Sequence, residues 1–377
     1  LDYTESTLLY AVYLAVFTIP QIIVPIISGA ILDRFSRKRT IYTLDFMSSI
    51  LYGAAAYVLS TGWFNFPSFA VLVFLVGTIN SIYMVAYQSF YPLLITEGNF
   101  SKAYSIASVL ETLAVVMVPV STFVYKQVGI SPLLAVNALC FFLAAVMETQ
   151  IRTTEKYIDV QKKSEDAQHR IRQVLNDIHE GFNYLSKDKG LLAIAAYFTF
   201  SALIYGVSNV LTLPYFRKTF SNGEYVYMVV MGASVAGRAI GGGMHYRMRI
   251  PAERKFMIAM FVYLGTSVLD GIYLFTPIPV MFILMLFSGL LGVTSWTIRI
   301  SATQAYVPDE KKGRFNGAFN MLNTCGSLAG QLTAGWLSYY MSSRTIIFLS
   351  CVVLFTAAMA IMGTNREHIS KIYNVDR

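Results

Sequence analysis

The sequence predicts an all-α integral membrane protein built from two similar helical bundles, and three observations carry that expectation. Apolar runs recur along the 377 residues, each close to the roughly 20 residues a helix needs to cross a bilayer. Cations collect in alternate connections between those runs, the asymmetry of cytoplasmic loops. A short motif returns in corresponding places of the two halves: Gln88-Ser-Phe-Tyr-Pro92 and Gln304-Ala-Tyr-Val-Pro308 each close an apolar run ahead of a polar link. The composition agrees, because 55% hydrophobic and 13% charged residues with a mean hydropathy of +0.55 suit lipid better than water.

The first span is expected at residues 7 to 31. It ends at Gly29-Ala-Ile-Leu-Asp33-Arg34-Phe-Ser36-Arg37-Lys38-Arg39, where the arrival of several cations marks the cytoplasmic side. Further spans follow at 39 to 60, 66 to 91, 101 to 125 and 130 to 151. After a polar stretch come 190 to 213, 224 to 247, 255 to 275, 278 to 302, 314 to 340 and 344 to 364, eleven spans in all. With the sides alternating from the opening basic cluster, Lys126, Arg217, Lys218 and Arg344 fall outside, Arg238 and Arg299 lie within spans, and the rest of the 29 Lys and Arg fall inside. A register slipped by one helix would mix the two sides.

The repeat makes the halves parallel bundles related by an axis along the membrane normal, with a binding cleft between them near the midplane. It also makes residues 7 to 31 the counterpart of a second helix, so one helix is expected upstream and twelve in the whole protein. The expected organisation is an N-terminal bundle at 1–151 lacking its first helix, a cytoplasmic linker at 152–189, and a C-terminal bundle with a short cytoplasmic tail at 190–377. In the linker, Ile171, Val174, Leu175, Ile178, Phe182 and Leu185 recur at helical spacing, the pattern of an amphipathic helix lying on a membrane surface.

Several function classes are disfavoured. The net charge of +8 sits in loops and forms no basic stripe with interleaved aromatics, so nucleic acid is not an expected partner. HExxH, GxSxG and GxxxxGK patterns are absent from the sequence, and catalysis has no visible residues. Cys140, Cys325 and Cys351 lie in apolar runs and are expected to be small buried hydrophobes rather than disulfide partners or metal ligands. No cofactor or metal is expected. Gly232, Gly237, Gly241, Gly242 and Gly243 fall within one span and are expected to allow close helix approach.

Gly29, Asp33, Arg34, Arg37 and Lys38 resemble the cytoplasmic signature of the major facilitator superfamily, between its second and third helices, with Ser36 where Gly is usual. Glu180-Gly181-Phe182 ahead of Asp188-Lys189-Gly190-Leu191 is similar to the macrolide and siderophore exporter branch. The resemblance implies a secondary transporter working by alternating access, here an exporter of amphipathic small molecules exchanged against protons. It also places Asp33 near Arg314 and Gly317, and the helices of Glu111 and Arg238 side by side. The implied setting is a bacterial plasma membrane and the implied partners are the lipid bilayer, a small-molecule substrate and a proton, with the chain acting as a monomer. A small-solute importer of the same fold and a non-transporting membrane receptor are the competing readings.

An ionisable group at bilayer depth costs about 3 kcal/mol unless it is paired or wet, so such groups point to mechanism. Glu111 stands about ten residues into its helix, or about 15 Å by helical rise. Arg238 reaches similar depth from the other half, and a Glu111 to Arg238 pair is expected to sense protonation or to lock one conformation. Asp45 lies close enough to the basic cluster to act as a gate or anchor, while Arg299 and Asp270 are expected near opposite membrane edges. Gln88, Tyr83, Tyr87, Asn209, Tyr205 and Gln304 are the cavity candidates, against the alternative that polar amides join helices and aromatics face lipid.

Overall fold

The computed structural model describes residues 6–32, 36–95, 110, 113–114, 117, 120–121, 123–151, 176, 179–247 and 251–374. Among the described residues every regular element is helical. The helices are α1 (Thr7–Leu32), α2 (Arg37–Ser60), α3 (Phe66–Phe90), α4 (Ile130–Thr149), α5 (Lys189–Thr219), α6 (Gly223–Arg247), α7 (Lys255–Ile272), α8 (Ile278–Tyr306), α9 (Asp309–Leu337), α10 (Ser343–Ala357) and the short α11 (Arg366–Tyr373). Each expected span except 101 to 125, which lies largely outside the described residues, meets one of these helices. Most of the linker also lies outside them.

Among the described residues, eight helical segments are long and apolar enough to cross a membrane. α2 and α9 have the length but carry more polar residues: α2 opens on Arg37-Lys38-Arg39 and holds Asp45, and α9 opens on Asp309-Glu310-Lys311-Lys312-Gly313-Arg314. Local signals set several ends. The Ser36 hydroxyl caps α2 by accepting the Arg39 N–H at 3.1 Å, and Asn65 caps α3 through the Ser68 N–H at 3.2 Å, each satisfying a donor that a helix start leaves unpaired.

Two boundaries differ most from expectation. α5 continues across Pro214 to Thr219, because a proline costs one backbone bond and neighbouring helices in a membrane bundle hold the helix together around it. α9 begins at Asp309, directly after Pro308. Its polar first turn is helical although it is not apolar, and hydropathy alone marks only the membrane-embedded part.

Contacts divide the chain into two units. One is Tyr13–Asn176 with Asp2–Thr4; the other is Asp177–Arg377 with Leu1 and Glu5–Val12. In the first unit α2 and α4 run antiparallel along one seam. The Lys38 ammonium donates to the Thr149 carbonyl at 2.9 Å near one end, and the Ser131 hydroxyl to the Ala56 carbonyl at 2.6 Å near the other. Phe46 meets Phe142 edge-on and Tyr52 stacks on Phe141 between them, at 5.8 and 5.5 Å.

In the second unit small residues decide the crossings. A side chain at Gly206 of α5 would overlap the Ser327 carbonyl of α9, and one at Gly330 would overlap the Leu203 carbonyl in return. Gly237 of α6 and Gly289 of α8 meet the facing backbone in the same way, the close approach that small residues allow between membrane helices. The expectation for the α6 glycines holds for Gly237 and Gly241. At Gly232, Gly242 and Gly243 a side chain would meet nothing within 4 Å among the described residues.

The outer faces are apolar: Ile50, Tyr57, Val136, Met147, Phe261 and Trp336 are all exposed. Contiguous exposed apolar area of this kind fits a lipid environment. Of the cysteines, which are all free, Cys351 is buried as expected, while Cys140 and Cys325 are exposed, since an apolar residue in a membrane helix can face lipid instead of protein. α11 lies against the second unit with Ile369, Ile372 and Tyr373 buried, and the Asn374 side chain accepts the Phe256 N–H at 3.1 Å.

Candidate functional site

In the first unit, two acids and a phenol converge from three helices. Asp45, about two turns into α2, is 3% exposed. Glu148 sits in the last turn of α4, which the antiparallel seam brings alongside the start of α2. The charges of Asp45 and Glu148 act on one another and on the Tyr83 phenol of α3. Among the described residues Glu148 Oε2 is buried with no hydrogen-bond partner.

Toward the start of α2 lies an apolar cluster of Ile41, Ala86 and Phe90, with Ile82, Tyr83, Val85 and Ile151 packed against it. Tyr83 and Tyr87 stack at 6.2 Å, and Tyr87 and Tyr91 at 5.3 Å, making a ladder along one edge of α3. Gln88 lies in α3, with its side chain outside the described residues.

Of the expected signature, Gly29 falls near the end of α1, and Arg37 and Lys38 form the first turn of α2. Asp33, Arg34 and Glu111 lie outside the described residues. The sequence reading set Asp45 beside basic groups and did not single out Glu148. An acid in the last turn of a span resembles an interfacial residue, and only the seam between α2 and α4 reveals its neighbour.

The second unit holds three polar clusters. On α6, Arg238 is exposed, and its charge acts on Asp270 of α7, which also accepts a hydrogen bond from the Ser288 hydroxyl of α8. On α8, Arg299 is only 6% exposed and is wrapped by aromatic faces: Trp296 at 4.5 Å, Phe319 at 4.7 Å and Phe198 at 5.2 Å. Among the described residues its Nε is buried without a hydrogen bond, and the ring faces hold the guanidinium by an electrostatic attraction that strengthens away from water. Nearby, the Tyr263 and Tyr373 hydroxyls meet at 2.8 Å. Burial pushes the Tyr373 phenol of α11 above its ordinary range. Sequence reasoning placed Arg299 near a membrane edge, but the bundle buries it.

The third cluster joins the end of the linker to the helices. Asp188 caps α5 by accepting the Gly190 and Leu191 N–H groups at 2.8 and 3.1 Å, and it also accepts the Tyr306 hydroxyl at 2.8 Å. Residues 179–187 are helical, and a side chain at Gly181 would overlap the Arg314 carbonyl. Arg314 pairs with Glu180, and the Lys311 ammonium stands 4.9 Å over the Tyr184 ring. Burial, and then the charge of Asp188, raises the Tyr184 phenol.

Among the cavity candidates here, Tyr205 and Asn209 are exposed one turn apart on α5, and the Gln304 amide donates to Asn316 at 2.9 Å. Among the described residues no group of three or more His, Cys, Asp or Glu could hold a metal.

Comparison with known proteins is consistent with this layout. The Major Facilitator Superfamily model matches residues 1–269 and 249–372. The uncharacterized transporter YkuC of Bacillus subtilis is 22% identical over 232 residues, covering 60% of this chain and 54% of its own length, so the chain spans about half of that relative. Macrolide efflux protein A of Enterococcus faecalis is 23% identical over 277 residues, 71% of this chain and 80% of its own. The uncharacterized transporter YfiS of Bacillus subtilis is 23% identical over 358 residues, 92% and 82% respectively. Two solved structures share the fold: the nucleoside transporter NupG at a TM-score of 0.66 with 14% identity, covering 95% of this chain and 90% of that one, and the xylose transporter XylE of E. coli at 0.63 with 12% identity, covering 95% and 87%.

Proposed function

Because the chain belongs to the major facilitator superfamily of membrane transporters, we propose that it exports amphipathic small molecules of the macrolide or siderophore kind by alternating access, in exchange for protons. The observation that carries the reading is the similarity to macrolide efflux protein A over 80% of that protein's length. Within the second unit, the exposed Tyr205 and Asn209 on one face of α5 offer the mixture of aromatic surface and polar groups that such substrates require. In this reading the protein works as a monomer in a bacterial plasma membrane, with the linker and C-terminus cytoplasmic.

Proton coupling is assigned to Glu111, with Arg238 as the cation that responds to its charge. An acid in the membrane takes up a proton when its cationic partner withdraws, because desolvation then favours the neutral form. The test is accumulation of a macrolide, a cationic dye and a ferric siderophore in everted membrane vesicles energised by a proton gradient. Export predicts gradient-dependent accumulation inside the vesicles, with Glu111→Gln removing the dependence on pH. Unchanged pH dependence in Glu111→Gln would remove Glu111 from the mechanism, and depletion instead of accumulation would reverse the direction.

A further inference from the structure

We propose that the groove between α7 and α10 binds one acyl chain of an anionic phospholipid, with the phosphate held at Arg344. Such a site faces lipid and takes part in no step of the exporter reading above. The groove has a volume of about 220 Å³. Its floor is made of buried or missing side chains: Ser267 and Cys351 are each 2% exposed, and a side-chain carbon at Gly271 would stand 3.2 Å from the Cys351 Cβ. Val268 and Ile272 border it on α7, and Phe348, Val352 and Phe355 border it on α10, all of them exposed. The Ser267 hydroxyl is spent on the Tyr263 carbonyl at 2.8 Å, so the groove presents an apolar surface along its length.

Shape selects the occupant. From Phe348 to Phe355 the helix rises about 10 Å, and Arg344 stands about 6 Å further toward the membrane edge. Together they span about half of the roughly 30 Å hydrocarbon core, the depth of one leaflet. A volume of about 220 Å³ spread over that rise leaves a channel about 5 Å wide, enough for one polymethylene chain at van der Waals separation and half the width of a helix. A helix of a second copy is too broad for it. In lipid the gain from filling such a groove is close packing rather than release of water.

The edge of the groove carries the complementary charge. Arg344, in the first turn of α10, is exposed and rests its guanidinium 5.4 Å over the Phe275 ring, which meets Phe348 edge-on at 5.7 Å. Two rings therefore join the cation to the mouth of the groove. Among the described residues no carboxylate pairs with Arg344, whereas Arg217 pairs with Glu224 at 3.0 Å. Asp270, the neighbour of Gly271, accepts the Ser288 hydroxyl of α8 instead. A phosphate at this level meets a guanidinium that can donate two parallel hydrogen bonds and the positive end of the α10 dipole, while its chain lies along α7 and α10.

The test is photolabelling of the full chain in phosphatidylcholine liposomes containing a trace of phosphatidylglycerol with a diazirine in one acyl chain. Label is expected in peptides covering 267–272 and 348–355, in excess of the label on α4 around the exposed Val136. Unlabelled phosphatidylglycerol should displace it about fivefold more effectively than added phosphatidylcholine, the factor one cation near an anionic headgroup provides. Arg344→Gln should remove that preference and leave tail labelling in place. Val352→Trp, a change at an exposed position, should fill the groove and lower the label in both segments, and unchanged label on α4 reports that the chain is still folded. Label spread evenly over the apolar helices, equal displacement by the two lipids in the wild type, a preference retained in Arg344→Gln, or crosslinks from the two segments to a second copy of the chain would each overturn the proposal. No substrate is used, so failure here leaves the transport reading standing, and absence of flux leaves the labelling result intact.

Discussion

Asp188 shows how one side chain can serve two layers of structure. Its carboxylate accepts two N–H groups at the start of α5 and the Tyr306 hydroxyl at the end of α8, fixing two helix ends with one charge. Asp188→Ala removes all three bonds. The cap alone contributes about 1 kcal/mol, and the Tyr306 hydroxyl loses its acceptor. A lowered melting temperature in detergent is expected, with Asp188→Asn falling between variant and wild type because the amide oxygen still caps. Identical melting of wild type and Asp188→Ala would contradict this role. Arg299 makes a related point at greater depth. Its charge is covered by three ring faces, and among the described residues no carboxylate pairs with it, so a cation in a span need not announce an ion pair.

Helix crossings in the second unit are set by backbone contact at glycines. Gly206→Ala is predicted to destabilise by about 1–3 kcal/mol, since the added methyl meets the Ser327 carbonyl and the helices must separate. Gly242→Ala, with open space at its side chain position, should instead gain about 0.5–1 kcal/mol from helix propensity. Thermal unfolding of the two purified variants checks the opposite signs, and equal shifts would refute the crossing geometry.

The same elements show what was legible beforehand. Span positions follow from apolar length, so α1, α3 and α6 begin and end near their expected limits. The extension of α5 past Pro214 and the polar first turn of α9 were hidden, because hydropathy reports the solvent around a helix and not its hydrogen bonding. Which glycines face a neighbour was hidden as well. Gly237 and Gly242 look alike in sequence and differ only in the direction they point. Glu148 escaped notice for the same reason: its meaning comes from Asp45, and the two are brought together by the α2–α4 seam.

At the scale of the whole molecule, the exposed apolar side chains and the match to the Major Facilitator Superfamily model over residues 1–269 and 249–372 place the chain in a family of membrane transporters. The central proposal is that a proton gradient drives an amphipathic substrate through it. Its most direct measurement is uptake of a radiolabelled macrolide by proteoliposomes of the purified chain under an imposed pH gradient. The account predicts accumulation that a protonophore abolishes and that vanishes when the gradient is absent. Uptake no greater than in protein-free liposomes, with or without the gradient, would contradict it.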